Sequence, residues 1–524
     1  MKIKSNFIST LELRALHPNG VIADSDMYFA SLANKIFRTL LNDKLIKREC
    51  DEYFLRQISL KSSSYLEDTV SQWGLFDGFR KLHSEICGKL MPFYNVDEEY
   101  YRDEINIEDV QFLVWSTFQE NLNEKGEICF LNPDNPMLML VSSVIYDILD
   151  EEYEFAPENE KIYELLHKTD FDDFIDFRQL LEWLCLHTYL STNNAKNTVE
   201  RLKLSIRKNF KENKDHVKLF SYLVESNAYF YYACTPMSVK AIDWFRSITN
   251  NSHMLERTKN ISFLPFQSYK IMGSNDSYIN LESFGDEKIK IPLARESMNS
   301  LDPNRIRKFS IGEEIAQTNL VFFDGIWQVN GAIVFTEMSE KIQEEEDQKI
   351  KKKKRFEENA IYSYEKLLKF NNNKQIAFFK NGDELEEFWN KAFPDAKQFN
   401  DILRDYPYLN KSSLILFIYP KDGSFILPNI AECIKFPGNE FYNENNKDNE
   451  DLALLTGGTD TPIEFLEFII NNNCIPDAKI NSLISEERGR SIVQDNKWFI
   501  VRFFQSNLFD ESIIENSQFE YMYD

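Results

Sequence analysis

Carboxylate side chains are concentrated in two segments of this chain, and carboxylate oxygens can hold a divalent cation or act in acid/base chemistry. The first segment contains Asp103 and Glu104, and the second contains Glu151, Glu154 and Glu158. These five residues are the candidate metal ligands. No fixed ligand spacing, such as that of a calcium-binding loop, is present, so the alternative is a solvated acidic rim. The sequence therefore predicts no bound metal ion and no cofactor.

Aromatic and basic side chains supply a second set of candidate binding residues. Tyr100 and Tyr101 lie within the first acidic segment. Between residues 200 and 218, seven basic side chains stand against three acidic ones in a chain that is otherwise acidic. Such an excess can mark a site for a phosphate-bearing or acidic partner. The alternative is the solvated face of an ordinary amphipathic helix. The basic candidates are Arg201, Arg207, Lys208 and Lys211.

Sequence motifs for catalysis are missing. The six histidines form no H-E-x-x-H or other paired zinc spacing, and no nucleophile elbow, dinucleotide fingerprint or P-loop occurs. His83 and Cys87 stand four residues apart and can share a helix face as base and nucleophile, or simply form a half-buried pair. A site assembled from distant segments is invisible to spacing. The catalytic residues are therefore unknown, and the expectation is a protein that is not an enzyme.

Two predicted helices position the acidic segments. Asn106 can cap the first helix by accepting a hydrogen bond from the free amides of its first turn. The second helix opens at Asn135 and Pro136, because proline suits the first helical position. Apolar side chains recur at helical spacing in both segments, so we expect the two helices to pack against each other.

One set of residues is spread over both ends of the chain. It consists of Asp26, Tyr28, Leu32, Ala33, Asn34, the segments 92–94, 103–106, 109–115 and 151–159, and then Pro437, Asn439, Phe441, Tyr442, Pro476, Asp477, Glu487, Arg488, Gly489 and Arg490. Together these residues resemble a bacterial family catalogued as domain of unknown function 3843. The resemblance is weaker between Lys196 and Lys411. It implies no activity, ligand or catalytic residue, because none is attached to that family.

The composition indicates a soluble globular protein. The chain has 524 residues, of which 43% are hydrophobic, and a formal net charge of -25, which disfavours contact with nucleic acid or anionic membranes. Its seven cysteines are odd in number and never form a C-x-x-C pair, so a reducing compartment is expected. Because no apolar run is long enough for a membrane helix, we expect a cytoplasmic location and no membrane partner.

The pattern of periodicities predicts an α+β fold with a largely helical N-terminal lobe, a small central antiparallel β domain and a C-terminal α+β lobe. The predicted segments are 1–255 (helical), 256–337 (β), 338–370 (a charged connecting helix) and 371–524 (α+β). In the β domain, Asp324 with Gly325 predicts a hairpin, and Asn330 with Gly331 predicts a second turn.

Three functional hypotheses follow. The leading one is an intracellular binding or adaptor protein with an unknown protein partner, since acidic and aromatic residues are abundant and catalytic motifs are missing. The second is a metal-assisted hydrolase that uses the carboxylates of the acidic segments. The third is phosphate or nucleic-acid binding through the basic helix, although nucleic acid is not expected as a partner of so acidic a chain.

Overall fold

A computed structural model of the protein describes residues 7–126, 129–211, 213–285, 288–298, 302–394, 409, 413–444, 450–457 and 461–510. It confirms the predicted α+β class. The chain divides into two compact units, one formed by Met1–Ser339 with Phe509–Asp524 and the other by Glu340–Leu508. The finer division into four segments stays a prediction.

Helices fill the first unit up to residue 258. The predicted cap at Asn135 is confirmed, because its side chain accepts a hydrogen bond from the Met137 amide at 2.9 Å. The helices are α1 Thr10–Arg14, α2 Asp26–Asn42, α3 Lys44–Glu49, α4 Glu52–Ser71, α5 Leu75–Cys87, α6 Ile107–Glu124, α7 Pro136–Tyr153, α8 Glu160–His167, α9 Phe174–Leu186, α10 Asn193–Asn209, α11 Lys214–Tyr231, α12 Ala241–Ile248 and α13 Ser252–Thr258.

The predicted side-chain cap at Asn106 is wrong. Asn106 does occupy the position before α6, but its side chain makes no cap hydrogen bond. Instead it holds the preceding connector, accepting from the Tyr101 amide at 3.1 Å and donating to the carbonyls of Tyr101 and Glu104. The Asn106 side chain therefore forms hydrogen bonds with the preceding connector instead of with the first turn of α6.

Helix α4 lies at the centre of the helical part. It packs against α2, α5, α6 and α7, and the predicted packing of α6 on α7 is also present. Aromatic rings fill the neighbouring core, with Phe79 and Phe112 stacked at a centroid distance of 4.6 Å. Unusually for a central helix, α4 also buries polar side chains, among them Tyr65, Glu67 and Asp68.

Five strands close the remainder of the first unit into a barrel in the order β1-β2-β3-β5-β4. All pairs are antiparallel except β3 and β5, which pair in parallel at Leu293 and Trp327. A closed five-stranded barrel does not itself specify a function. The strands are β1 Ser262–Ser274, β2 Tyr278–Ser283, β3 Lys290–Ala294, β4 Glu314–Phe323 and β5 Ile326–Glu337.

One of the two predicted turns in this region is confirmed and the other is wrong. Asp324 and Gly325 join β4 to β5 with φ values of 54° and 79°, as a two-residue hairpin with both φ angles positive requires. Asn330 and Gly331 instead lie inside β5. The Asn330 carboxamide is buried against α11, where it accepts from the Tyr229 hydroxyl at 2.6 Å and donates to the Ser226 carbonyl at 2.8 Å.

The second unit combines one antiparallel sheet, in the order β6-β7-β8, with helices. Every side chain of β7 is buried. Within the described residues, no helix of either unit is long and apolar enough to cross a membrane. The elements are α14 Glu340–Phe370, β6 Ile376–Phe379, α15 Gly382–Ala392, β7 Leu414–Tyr419, β8 Gly423–Pro428, α16 Glu450–Thr456, α17 Ile463–Asn471, α18 Glu486–Gln494 and α19 Lys497–Phe504.

Candidate functional site

The two acidic segments meet at the junction of α6 and α7. The Tyr153 hydroxyl, at the end of α7, donates to the Asp103 carbonyl at 3.0 Å. Burial raises the pKa of Tyr153, and the charges of Glu104 and Asp103 raise it further. The carboxylates of one segment are therefore close enough to act electrostatically on the other.

The five candidate metal ligands are all exposed: Asp103, Glu104, Glu151, Glu154 and Glu158. Glu151 forms an ion pair with Lys35 at 3.0 Å. A different set of side chains lies close enough together to share one ion among the described residues. It consists of His17, Asp26 and Glu67. The acidic segments come together as a surface and not as an enclosed ligand set.

The two candidate tyrosines have different surroundings. Tyr101 is 54% exposed and remains available to a partner. Tyr100 turns inward, where its hydroxyl donates to Asp109 at 2.6 Å and accepts from Arg80 at 2.9 Å. Tyr100 thus belongs to a buried polar network.

The basic candidates lie on the surface of the helical part. Arg201, Arg207 and Lys208 are exposed on α10, and Lys211 is exposed just after it. None of them pairs with an acidic side chain in the part of the chain that the structure describes, whereas Lys203 nearby pairs with Glu200 at 3.1 Å and with Glu225 at 2.5 Å. The structure thus leaves a small basic surface on this helix.

The proposed base and nucleophile, His83 and Cys87, both lie on α5. The His83 ring is fully buried, and its Nδ1 lies 2.6 Å from the Lys89 carbonyl. Burial lowers the pKa of His83 to about 4, against a smaller opposing effect of that carbonyl. An imidazole in this position cannot contact a substrate in solvent.

Sequence spacing missed the buried polar networks that are anchored on α4. Tyr65 donates to Asp109 at 2.7 Å, and Arg80 approaches the same carboxylate at 3.4 Å. Asp68 accepts from the Tyr189 hydroxyl at 2.6 Å and from the Phe76 amide at 2.9 Å. The one local signal is the density of polar residues in the last half of α4, a pattern that usually marks an exposed face.

The third network on α4 joins Glu67 to His17, which lies after α1. The His17 Nε2 is 3.0 Å from Glu67 Oε2, and its Nδ1 is 3.5 Å from Asp26 Oδ1. All three side chains are completely buried. The sequence placed His17 in no metal or catalytic motif, because its partners are far along the chain.

Comparison with known proteins gives a family and no activity. The family model described as "Protein of unknown function (DUF3843)" matches residues 9–266 and 324–506. Its matched ranges include α4 and the elements that supply its buried partners. No curated protein and no solved structure was found to match the chain. Because the model covers most of the chain, the protein belongs to the DUF3843 family of proteins of unknown function.

Proposed function

We propose that this protein is a non-catalytic binding protein that docks a positively charged protein partner on an acidic connector surface. This surface consists of Asp103, Glu104, Glu151, Glu154 and Glu158, together with the aromatic side chains of Tyr101 and Phe155. The observation that carries the proposal is the hydrogen bond from Tyr153 to the Asp103 carbonyl, because it joins the two acidic segments into one region.

The region is anchored, which supports a binding role. The Glu152 side chain accepts from the Tyr28 hydroxyl at 2.7 Å and from Lys35 at 2.8 Å, so the end of α7 is fixed to α2. A partner that meets a preformed surface avoids the entropy cost of ordering it. Phe155, which is 76% exposed, and Tyr101 offer apolar area among the carboxylates, and aromatic side chains are enriched at protein interfaces.

Charge favours a cationic protein over nucleic acid. The chain carries a formal net charge of -25, and the proposed surface adds locally exposed carboxylates to that field. Complementary charge speeds association and selects partners more than it adds affinity. The seven cysteines, all of them among the described residues and most of them buried, form no disulfide with one another, which supports a reducing, cytoplasmic setting for this interaction.

Native mass spectrometry of the full chain, purified gently from its own host, tests the proposal. The test variant changes Glu104, Glu151, Glu154 and Glu158 to Gln, which preserves side-chain size and removes charge. The matched control changes Arg207, Lys208 and Lys211 to Gln and so neutralises the basic surface.

We expect a partner protein on the wild-type chain and on the basic-surface control, and its loss from the carboxylate variant. Raising salt from low to high should weaken the complex, since exposed charges are screened over about 10 Å at 0.1 M salt. A partner that survives in the carboxylate variant contradicts the proposal. Loss only in the basic-surface control would favour the phosphate-binding hypothesis instead.

A further inference from the structure

Two atoms in the core of the first unit lie close together without a hydrogen-bond partner. They are Nδ1 of His17 and Oδ1 of Asp26, which are 3.5 Å apart. Both side chains are completely shielded from solvent. Buried polar atoms normally have partners, so this pair requires an explanation.

We propose that His17 and Asp26 bind a divalent metal ion of the zinc type, with Glu67 orienting the imidazole. An imidazole nitrogen and a carboxylate oxygen are common ligands of such an ion, with bonds of about 2.0–2.2 Å. Two ligands at that distance in a tetrahedral site are about 3.4 Å apart. The observed separation of Nδ1 and Oδ1 matches that value and is long for a hydrogen bond.

The other side of the His17 ring supports this assignment. Its Nε2 lies 3.0 Å from Glu67 Oε2, so an Nε2–H donates to the carboxylate and Nδ1 keeps its lone pair directed toward Asp26. Metal-binding histidines are usually fixed in this way, with the far nitrogen donating to a carboxylate, a backbone carbonyl or a water molecule.

Glu67 is itself held in place. Its Oε1 accepts from the Asn159 side-chain amide at 2.8 Å, and the Asn159 backbone amide donates to Ser71 at 2.8 Å. The His17 and Trp73 rings also pack edge to face, with ring centroids 5.7 Å apart. The imidazole therefore has one defined orientation.

The charge balance also calls for a further cation. Asp26 Oδ2 accepts from Arg14 at 2.5 Å and from the Ala23 amide at 3.2 Å, which leaves Oδ1 available. Among the residues that the structure describes, Arg14 is the cationic side chain that pairs with Asp26. Buried charges are paired or coordinate metals, and an ion bound by His17 and Asp26 would place positive charge beside the buried carboxylates of Asp26 and Glu67.

The ion would be structural. It would fasten the segment between α1 and α2 to the start of α2, and through Glu67 to the central helix α4. No exposed atom of the set is available to a substrate, since all three side chains are fully buried. The inference is independent of the proposed docking surface.

Metal content of the tag-free full chain, expressed with zinc in the medium and dialysed, tests the inference. By inductively coupled plasma mass spectrometry we expect one zinc per wild-type chain and at least a tenfold lower content for His17→Gln and Asp26→Asn. Glu67→Gln should bind zinc about 10- to 100-fold more weakly, the usual loss when a residue that orients a ligand is changed. The control His83→Gln, which alters another buried imidazole, should retain one zinc.

A second measurement needs no variant and remains decisive if the variants do not fold. Cobalt(II) exchanged into the wild-type chain should give visible absorption bands of nitrogen and oxygen ligation, and a chelator should lower its Tm. Wild-type protein that holds no ion, shows no such bands and keeps its Tm in chelator would overturn the inference. Equal zinc content in folded wild type and Asp26→Asn would overturn it as well.

Discussion

Neutralising Asp109 tests whether the buried network on α4 depends on charge. Asp109 is fully buried and accepts from the hydroxyls of Tyr100 at 2.6 Å and Tyr65 at 2.7 Å, with Arg80 at 3.4 Å. Burial by itself would lower the pKa of Arg80, but the charge of Asp109 and the Tyr100 hydroxyl outweigh it, and the pKa is raised. Asp109→Asn keeps the size of the side chain and leaves the charge of Arg80 in place.

The expected cost follows from what remains around Arg80. Removing one member of a buried ion pair typically destabilises a protein by about 3–5 kcal/mol. Arg80 keeps a hydrogen bond to the Arg102 carbonyl at 2.6 Å and a 3.4 Å contact with Asp77, whose side chain is 39% exposed. These partners favour the lower end of the range, so we expect Asp109→Asn to reduce the free energy of unfolding of the first unit by about 3 kcal/mol.

Urea unfolding followed by tryptophan fluorescence measures this change, with a double-mutant cycle to isolate the pair. Asp109→Asn leaves the charge of Arg80 without its carboxylate partner, and Arg80→Met removes that charge. The double variant should therefore recover part of the lost free energy of unfolding, with a coupling energy of about 1–3 kcal/mol. The matched control is Lys125→Met. Lys125 pairs with Asp51 at 2.8 Å, where both side chains are about half exposed, and its loss should cost less than about 1 kcal/mol. An Asp109→Asn cost below about 1 kcal/mol, or additive effects in the cycle, would refute the reasoning.

Two further changes probe other parts of the molecule. In the unfolded chain His83 is protonated near its ordinary pKa of 6.5, whereas burial lowers its pKa in the folded protein to about 4. The free energy of unfolding therefore falls as pH drops from about 6.5 toward 4, by ~2 kcal/mol at pH 5. His83→Gln should flatten this slope in urea titrations at pH 7.5 and 5, and an unchanged slope would assign it to other groups. In the second unit, a Cβ on Gly489 would lie 2.0 Å from the Ile480 carbonyl oxygen, so Gly489→Ala should cost more than about 1 kcal/mol in thermal unfolding. Gly273→Ala is the control, since its nearest neighbour is a side-chain atom at 3.2 Å; equal losses would show that the close approach is relieved cheaply.

The sequence predicted correctly those helix starts and turns that are determined by residues adjacent in the chain. Asn135 followed by Pro136 fixed the start of α7, because both residues act on the first turn of their own helix. Asp324 with Gly325 fixed the β4–β5 hairpin for the same reason, since each accepts a positive φ. In these cases the residues that decide the structure are adjacent in the chain.

Long-range contacts account for what the sequence did not reveal. Asn330 with Gly331 carries the same turn signal as Asp324 with Gly325, yet β5 continues through the pair, with a shift in its register against β4 and a φ of 98° at Gly331. The Asn330 side chain is satisfied there by Tyr229 and Ser226 of α11. The buried acids of α4 were missed for a related reason. Their partners come from segments before and after the helix, and a carboxylate in a helix normally indicates an exposed face.

The division of the chain has a consequence for the order of folding during synthesis. The first unit includes residues that follow the second unit in the sequence. One of them, Asp510, accepts a hydrogen bond from the Ala233 amide at 2.8 Å. Synthesis proceeds at about 5–20 residues per second, so this contact forms on the order of ten to thirty seconds after Ser339 has been added. During that interval the helices and the barrel lack the contact that Asp510 makes. The second unit is an insertion in the sequence of the first, because residues of the first unit precede it and follow it.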